Sequence, residues 1–211
     1  MQVQQTEYGA LGLQLVPRIR PPGDGSGIDL VPGVLGIDLM LEAHGIAIPV
    51  THEDLAKWGT TFDQAYPMAL NNLRARSQNE VWEPVPAVPG MQLYRSGDKN
   101  AAARALLLPE LFQDFPREGV LFSIPSPGRL LTICLWNFES LRALPHLESV
   151  TRVVHKRARE PLSDQVFWAD GENIQHLLLD EELEDVRPPH AFLRAVERLA
   201  TASFQSVPAE A

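Results

Sequence analysis

The chain has 211 residues, 45% of them apolar and 21% charged, with a formal net charge of −9. These proportions are ordinary for a globular protein and leave enough apolar surface to bury a core without disulfides or a structural metal. A single cysteine, Cys134, excludes an internal disulfide framework and a cysteine-rich zinc site. The negative balance argues against broad binding to nucleic acid or anionic lipid. There is no secretory leader pattern, and no run approaches the roughly 20 apolar residues that span a bilayer. The expected compartment is the cytoplasm.

Residues 1–33 read as a flexible Gly/Pro-rich segment with a short element near Leu11–Val16. The run Pro21-Pro22-Gly23-Asp24-Gly25-Ser26-Gly27 has the composition of a connector. Residues 34–204 read as a single α+β domain, and 205–211 as a frayed tail. Within the domain a pattern recurs in which two short strands precede a helix. The first set is Val34–Glu42, Ile46–Val50 and two helices within 51–77, with His44-Gly45 as the intervening turn. Thr51 is the expected cap of the first helix, with Glu53 and Asp54 in its first turn and Gly59 as its left-handed stop. Thr61 caps the second, whose Tyr66, Leu70 and Leu73 share one face, and Pro67 predicts a kink or a late start.

The second set is Val81–Val88, Met91–Arg95 and a helix from Asn100 to Phe112. Pro84, Pro86 and Pro89 make its first strand an edge or an irregular segment. The third is Gly119–Ile124, Arg129–Leu135 and helices within 138–158, with Leu147, Val150, Val153 and Val154 as the apolar stripe. The fourth is Gln165–Ala169, Asn173–Leu179 and Pro189–Ala202, with Asp170-Gly171 as the strongest hairpin signal. Repeated strand-strand-helix units imply a mostly antiparallel sheet with helices packed on it.

Recognisable chemistry is sparse. The six histidines are scattered without metal-ligand spacing, and His52-Glu53 is followed by no second histidine of a metalloprotease motif. Ser26 lacks the flanking glycines of a nucleophile elbow, since Asp24 and Ile28 occupy those places. The same loop has no lysine for a phosphate-binding turn. Cys134, in an apolar run, reads as an inert buried thiol. Asp38 and Glu42 would face the same side of a strand, the one pairing that could split into a general acid and a base. The acidic run 180–185 and the basic residues Arg152, Lys156, Arg157 and Arg159 read as a solvated face and a helix C-terminus. No catalytic residue, metal ligand or cofactor is assigned.

The stretch Val50-Thr51, Glu53-Asp54-Leu55 and Trp58-Gly59, followed by Ala69-Leu70-Asn71-Asn72-Leu73, resembles the YtpQ-like family of uncharacterised bacterial proteins. The resemblance continues through Gly97-Asp98, Arg104 with Leu106-Leu107-Leu108-Pro109, Gly119–Pro125 and Arg129-Leu130-Leu131. It covers about residues 13 to 170. Ser126-Pro127-Gly128 intervenes before Arg129, and Leu130 stands where the family pattern has an aspartate. The resemblance implies an α+β fold and a bacterial source, and no reaction.

Two functions follow as expectations. The first is a non-enzymatic interaction module that meets a protein partner through an edge strand such as Val81–Val88 or an apolar face. The second is a small-molecule binding protein or enzyme with a polar pocket lined by Asn72, Asp98, Arg104 and Arg129. Two asparagines in a row are poor helix formers, so Asn71 or Asn72 should bond across to a strand end or a loop.

Overall fold

The computed structural model describes residues 14–23, 25–43, 46–78, 81–178 and 188–205. The fold is α+β with two mostly antiparallel sheets. By contacts the chain divides into two units, residues 1–80 with 102–104 and residues 81–101 with 105–211.

The first unit holds a four-stranded sheet. Its central strand is β3 (Leu35–Ala43), which pairs antiparallel with β1 (Leu15–Arg20), β2 (Ile28–Val31) and β4 (Ile46–Pro49). β1 and β2 lie in the stretch read from composition as flexible; Leu15, Val16 and Ile19 make β1 apolar enough to enter a core. Cross-strand partners share a face, so Leu15, Ile19, Ile37 and Leu39 form one buried apolar side. Arg18, Arg20, Asp38 and Glu42 occupy the other.

Helix α1 (His52–Lys57) starts in a complete capping box between Thr51 and Asp54 and stops at Gly59, whose φ is 70°. The N–H and hydroxyl bonds from Thr51 hold the Asp54 carboxyl below the usual carboxylate range. Helix α2 (Phe62–Arg76) has a second box between Thr61 and Gln64. It begins at Phe62 without the late start expected from Pro67. Its buried stripe is Phe62, Ala65, Ala69 and Leu73, not Tyr66, Leu70 and Leu73. Alanines let the helix axis approach β1 closely, which a search for large apolar residues overlooks.

The second unit holds a six-stranded sheet in the order β10-β9-β7-β8-β6-β5. Three hairpins lie side by side in it: β5 (Trp82–Pro84) with β6 (Met91–Tyr94), β7 (Val120–Ser126) with β8 (Arg129–Cys134), and β9 (Val166–Ala169) with β10 (Ile174–Leu177). β5 is shorter than the expected 81–88 strand because Pro84 and Pro86 remove ladder donors. The helix expected over 100–112 is a 3-10 helix, Ala101–Leu107, followed by one α-turn, α3 (Leu108–Leu111). Pro109 has no N–H to return to the preceding turn, which interrupts an α ladder. The elements follow the expected order, but the pairings differ between the two sheets and establish no strand-strand-helix repeat.

Met91, Leu121, Leu131, Ile133, Val166, Trp168 and Leu177 form one face of the second sheet. Helices α4 (Leu144–Arg157) and α5 (His190–Gln205) supply Leu147, Phe192, Ala195 and Leu199 to the same core. In α4 the buried positions are Leu147 and Thr151, while Val153 is exposed. Thr151 is drawn in because its hydroxyl bonds Ser123 Oγ at 2.6 Å and the Leu147 carbonyl at 2.5 Å. The hairpin at Asp170-Gly171 forms, closed by Asp170 Oδ1 accepting from Glu172 N at 2.9 Å and Asn173 N at 2.7 Å. Among the described residues no helix is long and apolar enough to cross a membrane. The His44-Gly45 turn, the whole acidic run 180–185 and the tail beyond 205 lie outside the described residues.

Candidate functional site

The four residues expected to line a pocket divide between the two units, Asn72 and Arg104 in the first, Asp98 and Arg129 in the second. In the first unit, Asn72 is half-buried on α2 and donates from Nδ2 to the carbonyl of Leu15, the first residue of β1, at 2.7 Å. This is the bond to a strand end that the paired asparagines predict. Its neighbour Asn71 faces out and accepts from Arg74. Arg104 is fully buried, and its Nε donates to Ser77 Oγ at 3.1 Å. Ser77 is the C-cap of α2 and donates in turn to the Leu73 carbonyl at 2.7 Å. A guanidinium there meets the negative end of the helix dipole. In the second unit, Asp98 Oδ1 accepts from Asn100 N at 2.9 Å, which fixes the entry to the 3-10 helix. Arg129 is exposed at the start of β8, opposite Ser126 in the hairpin.

The Asp38 and Glu42 carboxylates share a sheet face, as expected, but each meets its own arginine. Arg20 Nε donates to Asp38 Oδ1 at 3.1 Å, and Arg76 pairs with Glu42. Arg20 also donates to the carbonyls of Pro21 at 3.0 Å and Gly23 at 2.9 Å, so its guanidinium organises the loop that composition reads as a connector. Glycine is needed around it. A Cβ on Gly36 would stand 2.4 Å from Arg20 Cζ, one on Gly25 2.1 Å from Arg20 Nε, and one on Gly27 1.6 Å from the Ile37 carbonyl oxygen. The Gly-rich loop is therefore a seat for an arginine.

Cys134 is half-buried, and desolvation pushes its thiol up to about 11, far from a reactive thiolate at neutral pH. His176 is the most organised imidazole. It packs at a tilt against Phe167 and shares a 3.0 Å bond with Gln165 Oε1, whose amide nitrogen donates to Asp164 at 2.7 Å. Partial burial lowers its pKa, against a smaller opposing pull from Asp164. Among the described residues no three His, Cys, Asp or Glu side chains cluster to hold a metal ion.

Two surface features were not visible in the sequence. The first is β4. It pairs with β3 on one side, and its Ile46 and Ile48 are 64% and 55% exposed. Ile48 pairs with Leu41 and Ile28 with Ile37, so these exposed isoleucines extend the apolar side of the first sheet to its rim. The second is an open concavity of about 530 Å³ in the second unit, between the loop at Arg117-Glu118 and helix α5. Glu118, almost wholly buried, accepts from Arg198 Nε at 2.8 Å and Nη2 at 2.5 Å, and its carbonyl accepts from Trp168 Nε1 at 2.9 Å. This bond raises the Arg198 pKa further, so the guanidinium is permanently charged. No family model, no curated protein and no solved structure matches the chain.

Proposed function

We propose that the protein is an interaction module that takes up an extended, apolar segment of a protein partner along the outer edge of β4. The carrying observation is the pair Ile46 and Ile48, open to solvent on a strand hydrogen-bonded from one side only among the described residues. An added strand would pair with the outward main-chain groups of β4 ahead of Pro49, which has no N–H to offer, and its alternate side chains would cover the isoleucines. β5, the edge closest to the one expected from the sequence, offers less. It has three residues, ends in a proline as β4 does, and carries the half-buried Trp82 in place of two exposed isoleucines.

The test is selection of heptapeptides from a random library on the full chain. Sequences with apolar residues at alternate positions are expected, with at least tenfold weaker binding to an Ile46→Glu/Ile48→Glu variant. N-methylation of alternate peptide bonds should also remove binding, because it blocks main-chain pairing. Selected peptides that bind the double variant as tightly as the parent chain would sink this reading.

A further inference from the structure

The geometry points to a second binding site, independent of the strand edge: an anion seat for a small phosphate monoester in the concavity between Arg117 and α5. Three guanidinium groups line it, from Arg117, Arg194 and Arg198. Arg194 and Arg198 are four residues apart on α5, so both project from one side of the helix, where they are exposed. The helix is held by Phe192, Ala195 and Leu199 in the core, which fixes that side outward.

The charges are unequally matched. Glu118 anchors Arg198 through one carboxylate oxygen, while its other oxygen stands 3.8 Å from Arg117 Nε. Burial of Glu118 and the indole bond to its carbonyl keep that anchor in place. Arg198 is thereby oriented with guanidinium donors left over. Arg194 meets no carboxylate among the described residues. Glu197, also on the lining, is the only other acid there. The lining thus carries three cations against two carboxylates, in a chain whose overall charge is −9. A local positive focus against that average is a specific feature and not a diffuse one.

Guanidinium groups present planar pairs of N–H donors that match phosphate and carboxylate oxygens. Three arginines lining one concavity offer donors from different positions, which suits a tetrahedral dianion, whose oxygens point in several directions, better than a planar carboxylate. The openness of the site suits a small ligand held by charge, with weak affinity. Glu197 opposes any anion there, and this gives the assignment a signature of its own. Removing that charge should strengthen binding, an effect no purely structural role for these residues produces.

The experiment is a titration of the full chain with ethyl phosphate at constant ionic strength, followed by the Nε–Hε resonances of its arginines, with chloride as the control. Saturable shifts confined to Arg117, Arg194 and Arg198 are expected. Arg194→Ala should weaken binding about fivefold, and Glu197→Gln should strengthen it about threefold, the scale of exposed charge pairs. Both residues are exposed, so both variants fold. Shifts that fail to saturate, or a Glu197→Gln variant that binds no more tightly, would overturn the site. A phosphoserine peptide binding tenfold more tightly than ethyl phosphate would transfer the site to a protein partner and overturn the small-molecule assignment.

Discussion

Replacing Gly27 with alanine decides between two physical descriptions of residues 21–27. If the segment were a slack connector, the added methyl would only restrict the unfolded chain, and stability would be unchanged or rise by about 0.4–1 kcal/mol. In the folded protein that methyl would lie 1.6 Å from the Ile37 carbonyl oxygen, a backbone atom that cannot rotate away. Ile37 pairs with both Ile19 and Ile28, so relieving the contact means pulling β2 off β3 or spreading the centre of the sheet. Overpacking of this kind costs about 1–3 kcal/mol, and the loss of ladder bonds adds to it. We expect a loss of about 2–4 kcal/mol, read as a lower urea midpoint at unchanged slope. Gly25→Ala should lose stability for a different reason, because its methyl would meet side chains, the Arg20 guanidinium and, at 2.6 Å, Asp38 Oδ1. Arg20→Ala should therefore suppress part of the cost of Gly25→Ala and leave that of Gly27→Ala intact. Gly128→Ala, which meets nothing within 4 Å, is the control. A neutral or stabilising Gly27→Ala, or equal suppression of both glycine variants, would refute the packed-loop description.

Three further outcomes follow. Thr132→Val should stabilise the protein by about 1 kcal/mol, because the Thr132 hydroxyl is buried without a hydrogen-bond partner among the described residues; lower stability in a thermal melt would reveal a hidden one. The same exchange at Thr151 should cost about 1–2 kcal/mol, since it strands the Ser123 hydroxyl, and Ser123→Ala in the Thr151→Val background should recover part of the loss. Asp170 is partly desolvated, which alone would raise its pKa, but N–H bonds from Asn173 and Glu172 prevail and lower it. A depressed folded-state value means the stabilisation is complete above the unfolded pKa of about 3.9 and fades as pH falls through the folded value. Asp170→Ala should accordingly cost about 1 kcal/mol at pH 7, with the gap from the parent chain narrowing below about pH 4 in urea titrations. A gap that widens on acidification would be the wrong sign.

What the sequence discloses and what it hides separate by range. Thr51, Thr61, Gly59 and Asp170-Gly171 act on backbone groups within a few residues, and each does what its local chemistry predicts. Strand positions were legible where apolar runs lie between turn signals, as in β7 and β8, missed in β1 and β2, where composition read as a connector, and shortened where prolines intervene, as in β5. Pairing between hairpins was not legible. Nothing local tells β6 to seek β8 or β7 to seek β9, and nothing in the composition of residues 23–27 reveals an arginine held by an aspartate 18 positions away. The site followed the same rule. Asn72 betrayed its bond by costing the helix propensity. The Glu118–Arg198 pair, 80 residues apart, left no local trace, and neither did the concavity it anchors.

The charge of the chain constrains which partner segments can use β4 and how the two binding sites can be told apart. Covering Ile46 and Ile48 removes side chains that are still 64% and 55% exposed, worth about 1 kcal/mol each against about 1.5–3 for complete burial. Two such contacts and a short ladder leave a modest affinity. A net charge of −9 therefore favours segments whose apolar core is flanked by lysine or arginine, through faster encounter and not through tighter pairing. The association rate of a lysine-flanked peptide should fall severalfold between about 0.02 and 0.2 M salt, as the Debye length contracts below about 10 Å. Its dissociation rate should stay nearly constant, because pairing and apolar contact are short-ranged. At the arginine concavity charge makes the contact itself, so salt there must speed dissociation. Stopped-flow traces with each ligand separate the two cases. A peptide dissociation rate that climbs with salt as steeply as its association rate falls would show that charge, and not strand pairing, holds the segment on β4.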